Sequence, residues 1–105
     1  MDARTWVEST LHSEGHVPLP AGHTRFTDTG FTVGDGPQPG TATLTATAKF
    51  TGQDKYEHWG EAQTLAYRLL GVLTAAGAGW EDGPGREPDH VLTIYPPIVS
   101  SDVQA

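Results

Sequence analysis

Three imidazoles and a carboxylate crowd into His12-Ser13-Glu14-Gly15-His16 and the following His23. These side chains are zinc ligands, and a catalytic zinc commonly takes three of them and leaves a fourth position open. His12 and His16 stand at i, i+4, which places two ligands on one helical face. Gly15 and Pro18 act against that arrangement, because they end a helix before His16 and leave the ligands without a fixed scaffold. Loop and surface histidines are therefore expected here, with no bound cofactor. His12, Glu14, His16 and His23 remain the set from which a histidine-rich metal protein would be built.

The other histidines offer less. Glu57-His58 and Asp89-His90 are neighbours in sequence. Adjacent residues on a strand point to opposite faces, and adjacent residues on a helix diverge, so neither pair reads as a dyad. His58 is expected half-exposed, beside a core-facing Trp59. A nucleophile is missing as well. The chain has no cysteine, and none of Ser9, Ser13, Ser100 and Ser101 sits in a Gly-x-Ser-x-Gly elbow. No glycine-rich phosphate loop occurs. Gly34-Asp35-Gly36 runs into prolines and a strand, so it presents no helix N-terminus to a phosphate. The acidic stretch from Glu81 to Asp89 carries oxygen ligands but lacks the spacing of an EF-hand loop.

What is left is recognition chemistry. Trp80 is followed by Glu81, Asp82, Glu87 and Asp89, with Arg86 as the one basic residue among them. Tyr56 and Tyr67 lie off the apolar line of the preceding helix and form a second aromatic group. Tryptophan and tyrosine are enriched at binding hot spots. The net charge is −7, from 13 acidic and 6 basic residues. Arg4, Arg25, Lys49, Lys55, Arg68 and Arg86 are scattered, whereas nucleic-acid binding needs clustered cations. Nucleic acid and anionic membrane are disfavoured, and a basic patch on a protein partner is the natural counterpart. The leading expectation is a non-enzymatic interaction module, serving assembly or inhibition, that docks through Trp80, Glu81, Asp82, Glu87 and Asp89, with Tyr56 and Tyr67 second. A homo-oligomer is compatible with it. The alternative is a small-molecule-binding protein or small enzyme with a pocket between helix and sheet, and His58, Arg68 or Tyr95 at its mouth.

These residues must be positioned by one domain over 1–105, with 100–105 as a tail. No secretory signal is expected at the start, no run approaches the ~18 apolar residues of a membrane span, and the absence of cysteine suits the cytoplasm. Asp2 to His12 predicts a short helix with Trp6, Val7, Thr10 and Leu11 on one face, stopped by Gly15. Thr24 to Val33 predicts a strand interrupted at Asp28-Thr29-Gly30, and Gly34 to Gly40 a loop. Thr41 to Thr51 alternates strictly, threonines one way and Ala42, Leu44, Ala46, Ala48 and Phe50 the other, as a half-buried strand does. A buried face of alanines calls for a close helix above it. Lys55 to Ala76 supplies one, with Asp54 and Glu57 in capping-box positions, Trp59, Ala62, Leu65, Ala66, Leu69, Val72, Leu73 and Ala76 as its stripe, and Gly77 as its stop. Ala78 to Asp89 predicts a loop, and His90 to Tyr95 a strand apolar enough for a central position. The fold class is α+β: a two-layer α/β sandwich in the order α-β-β-α-β, its mainly antiparallel sheet covered by one long helix.

Over Gly40 to Ala76 this layout resembles the small tail-terminator and tail-completion proteins of long-tailed phages. They also set a threonine- or valine-alternating strand directly before an alanine-rich amphipathic helix, between a short first helix and a last strand. The resemblance implies an assembly role, and no site residue carries over from it.

Overall fold

Asp2 accepts a hydrogen bond from the Thr5 N–H at 2.7 Å and caps α1, Ala3–Ser13. That bond to a backbone N–H holds the Asp2 carboxyl below its ordinary pKa. Gly15, at φ 85°, turns the chain out of the helix while its own N–H and that of His16 close on the carbonyls of His12 and Leu11. The computed structural model describes residues 2–20, 28–84 and 88–97. The expected tail, 100–105, and the early part of the first expected strand, 24–27, lie outside them.

Four strands follow the first helix: β1 Gly30–Asp35, β2 Ala42–Thr47, β3 Gly79–Asp82 and β4 His90–Tyr95, with α2, Lys55–Ala75, between β2 and β3. The sheet order is β1-β2-β4-β3, and every neighbouring pair is antiparallel. The α+β class, the order α-β-β-α-β and the long covering helix are as expected. β4 occupies a central position, as its apolar run requires. One element is added. The stretch expected as a loop after α2 begins with β3. Because β2 and β3 both run antiparallel to β4, they point the same way, and β4 is inserted between them as in a split βαβ unit.

The register sorts side chains onto two faces. Phe31, Val33, Ala42, Leu44, Ala46, Leu92 and Ile94 point to the helices and share one core with Val7, Leu11, Leu69 and Leu73. Ala42, Ala46, Ala62 and Ala66 have no exposure at all, so α2 approaches the sheet closely. Each fully buried leucine among them contributes roughly 1.5–3 kcal/mol by leaving water. The opposite face carries Thr32, Thr43, Thr45, Val91, Thr93 and Tyr95. Thr43 and Thr45 are half-buried, while Thr47 is buried.

Two expectations need correction. The alternation over Thr41 to Thr51 outlasts the strand. β2 ends at Thr47, paired with Gly30, the first residue of β1, and beyond it Phe50 is exposed rather than core. The Gln53 side chain donates to Lys49 C=O at 3.0 Å and folds this segment over toward α2. At the start of α2, Asp54 accepts from the Tyr56 and Glu57 N–H groups, each at 2.9 Å, which lowers its pKa. The charge of Asp54 in turn raises that of Glu57. Finally, the expected stripe of α2 holds from Ala62 to Leu73 and departs from expectation at the first turn and at Ala76, which is exposed. His58 is buried and Trp59 is only half-buried at the rim. The inner line is His58, Ala62, Ala66, Leu69, Leu70 and Leu73. Gly77, at φ 101°, ends the helix.

Among the described residues, no helix is long and apolar enough to cross a membrane.

Candidate functional site

The strand order leaves β1 and β3 as the two edges of the sheet, and their backbone groups have different fates. On β1, Gly36 N–H donates to Thr41 C=O at 3.0 Å, in the register that sets Asp35 against Ala42. Bonded and non-bonded pairs alternate in an antiparallel ladder, so Phe31, Val33 and Asp35 turn their backbone groups outward. Leu19 N–H takes the Phe31 C=O at 2.8 Å. Pro18 and Pro20 flank Leu19 and have no N–H, so this covering segment does not template another strand.

On β3, Gly83 N–H donates to Val91 C=O at 2.9 Å, in the register that sets Asp82 against Leu92. Gly79 and Glu81 therefore bond to β4, while Trp80 and Asp82 turn their backbone N–H and C=O outward. No described residue takes those groups, and all four residues of β3 are exposed.

The side chains around this open edge come from three elements. Trp80 and Asp82 share the helix side of β3, where α2 brings Trp59 and Tyr67 and β4 brings His90. The Tyr67 and Trp80 rings meet edge-on, with centroids 6.0 Å apart and planes at 73°. Both remain about two-fifths exposed, at 40% and 41%. The His90 ring lies 5.3 Å from Tyr67 and 6.5 Å from Trp59. Its Nε2 stands 3.7 Å from Asp82 Oδ1, too long for a hydrogen bond but within ion-pair range if the imidazole is charged. Glu81 lies on the opposite face of β3, where the Tyr95 hydroxyl donates to its carboxylate. That bond, together with desolvation and the negative charge of Glu81, raises the Tyr95 pKa.

The expected site residues are thus only partly brought together. Trp80, Glu81, Asp82 and Tyr67 converge on one edge, with the two acids on opposite faces of it. Asp89 is buried and does not belong to the exposed surface. Glu87 lies outside the described residues. Tyr56 is highly exposed, but its eleven-residue separation from Tyr67 puts them about 16 Å apart along α2. It forms a separate feature beside Lys55, whose Nζ sits 5.1 Å from its ring centroid.

The other candidate centres do not assemble. His12 and Glu14 are exposed and His16 half-buried, and no group of three potential ligands is placed to hold a metal among the described residues. His23 lies outside those residues. The three residues expected at a pocket mouth are separated. His58 is buried, with Nε2 2.6 Å from Ala48 C=O. A carbonyl only accepts, so that nitrogen carries the proton. Arg68 is exposed on α2, and Tyr95 is on the sheet face turned away from the helices.

No family profile, curated protein or solved structure matches this chain.

The contact of His90 with Asp82 and the two α2 aromatics was not foreseen from the sequence. One signal for it exists. Gly83-Pro84-Gly85 between Trp80-Glu81-Asp82 and Val91-Leu92-Thr93 has the composition of a hairpin turn, which would have paired the two segments.

Proposed function

We propose that this protein is a non-enzymatic docking module whose partner is another protein, bound along β3. The observation that supports this reading is an aromatic pair, Trp80 and Tyr67, left in partial contact with water above an edge strand that carries Glu81 and Asp82 on its two faces. Large aromatic rings that stay exposed in a folded chain supply contact area at low entropic cost when a partner covers them. The acids give the approach its direction, since a surface of net charge −7 attracts basic partners from a distance. The same face serves assembly or inhibition. Assembly is the role that the phage tail-protein resemblance implies, and the cytoplasm is a compartment suited to a chain without cysteine.

A photo-cross-linking residue at position 80, compared with one at the more accessible position 17, tests the reading in cells of the source organism. Val17 is an exposed apolar residue remote from β3, so it controls for generic stickiness. The expected result is a discrete adduct at position 80, absent at 17 and lost when Glu81 and Asp82 are both changed to lysine. Equal labelling at both positions, or an adduct indifferent to the charge reversal, rules out docking at this surface.

A further inference from the structure

We infer that the partner binds by strand addition: an extended basic segment of another protein pairs with the free edge of β3. This rests on the docking reading above and specifies its geometry and the chemistry of the occupant. Trp80 and Asp82 direct two N–H and two C=O groups away from the sheet, and no described residue takes them. An added strand satisfies all four in one register, because outward groups on an antiparallel edge recur at every second residue.

The side chains then dictate what the added strand carries. Residues opposite Trp80 and Asp82 fall on the helix side. There one meets the Trp80 and Tyr67 rings and the other meets the Asp82 carboxylate. The residue between them falls on the outer face and meets Glu81. The complementary segment has an apolar or arginine side chain against the rings and cations against the two acids.

Charge also acts against a second copy of this chain in the register that would satisfy all four groups. An antiparallel self-pairing that joins Trp80 of one copy to Asp82 of the other sets Glu81 directly opposite Glu81. Like charges in that position destabilise a ladder. The edge is short and acidic, which is how a sheet edge is guarded against its own kind while remaining open to a basic strand.

Amide hydrogen exchange on the full chain tests this, with a blocked Val-Lys-Lys-Val-Thr peptide as probe. Near saturation, the Trp80 and Asp82 amides are expected to slow by about tenfold, while the Glu81 amide, already bonded to β4, does not change. The same peptide N-methylated along its pairing edge keeps its charge and loses the effect. If both peptides bind alike and the two amides stay unprotected, strand addition is wrong while the docking surface still stands. Failure of the unmodified peptide to bind β3 overturns the basic-strand assignment, and the cross-link at position 80 decides docking separately. Protection that grows with protein concentration and without peptide identifies a second copy as the occupant and overturns the inference.

Discussion

The sheet has two edges, and the described chain covers part of one and none of the other. At β1 the edge aromatic, Phe31, points into the core and is buried, while its outward carbonyl is taken by Leu19 from a proline-flanked segment. At β3 the edge aromatic, Trp80, keeps two-fifths of its surface in contact with solvent, and the backbone beside it is free of described partners. The first edge is covered at Phe31 by a proline-flanked segment of local chain; the second is short, has no such cover among the described residues and is defended by charge. Unpaired edges invite association, and natural proteins close them unless association is the purpose. That difference is the ground on which the proposed docking is assigned to β3 rather than to β1.

Truncating the two edge aromatics gives the largest expected effect. Phe31→Ala should cost about 3–5 kcal/mol, because it empties a packed core position. Trp80→Ala should cost less, about 1–2 kcal/mol, because two-fifths of the side chain is already in contact with water. Urea denaturation of both variants measures the difference, and equal losses would show that Trp80 is a core residue after all. Next in size is Leu19→Pro, which removes the N–H that covers Phe31 while retaining an extended backbone. A loss of about 1 kcal/mol and faster exchange or self-association at β1 are expected. No change in either would mean that the segment does not guard that edge.

The support for the open edge can be stiffened instead. A Cβ at Gly60 or Gly71 would meet nothing within 4 Å, so neither glycine is required for close approach within the described structure. Gly71→Ala should stabilise the protein by about 1 kcal/mol through helix propensity, with peptide binding at β3 unchanged. Destabilisation would reveal a neighbour or a bend that the helix needs. The smallest effect concerns the outer face of β3. The bond from Tyr95 to Glu81 raises the tyrosine pKa, so its contribution to folding is fully present below the ordinary tyrosine value of 10.0 and is lost as pH rises through the raised one. Tyr95→Phe should remove that alkaline decline. Thermal melts of both proteins across the alkaline range should therefore converge as the pH rises, and a constant offset between them would count against the bond.

Local signals were legible wherever a single residue type enforces a conformation. Asp2 and Asp54 cap their helices, and Gly15 and Gly77 end them at positive φ. The alternation of Thr41 to Thr47 makes a strand because period-two burial has no other regular solution. The site was legible only as composition. Trp80, Glu81 and Asp82 stood out as aromatic and acidic, but a four-residue strand has too few residues to show a period. Their division onto two faces depends on pairing with β4. The inward residue of the first turn of α2 was ambiguous for a related reason. His58 and Trp59 are adjacent, and the alanine-rich stripe below them fits the sheet with either as its first inner residue until packing decides.

The residue order alone carried the two helices and their caps and the β2 alternation, because each depends on neighbours within a few residues, and the residue count alone carried the negative charge. The fold as a whole decided that β4 inserts between β2 and β3, that Asp89 is buried while Asp82 is exposed, and that among the described residues the β1 edge is covered at Phe31 while the β3 edge is not. Those outcomes depend on contacts between segments distant in the chain, and a strand does not become an edge until the whole sheet has chosen its order.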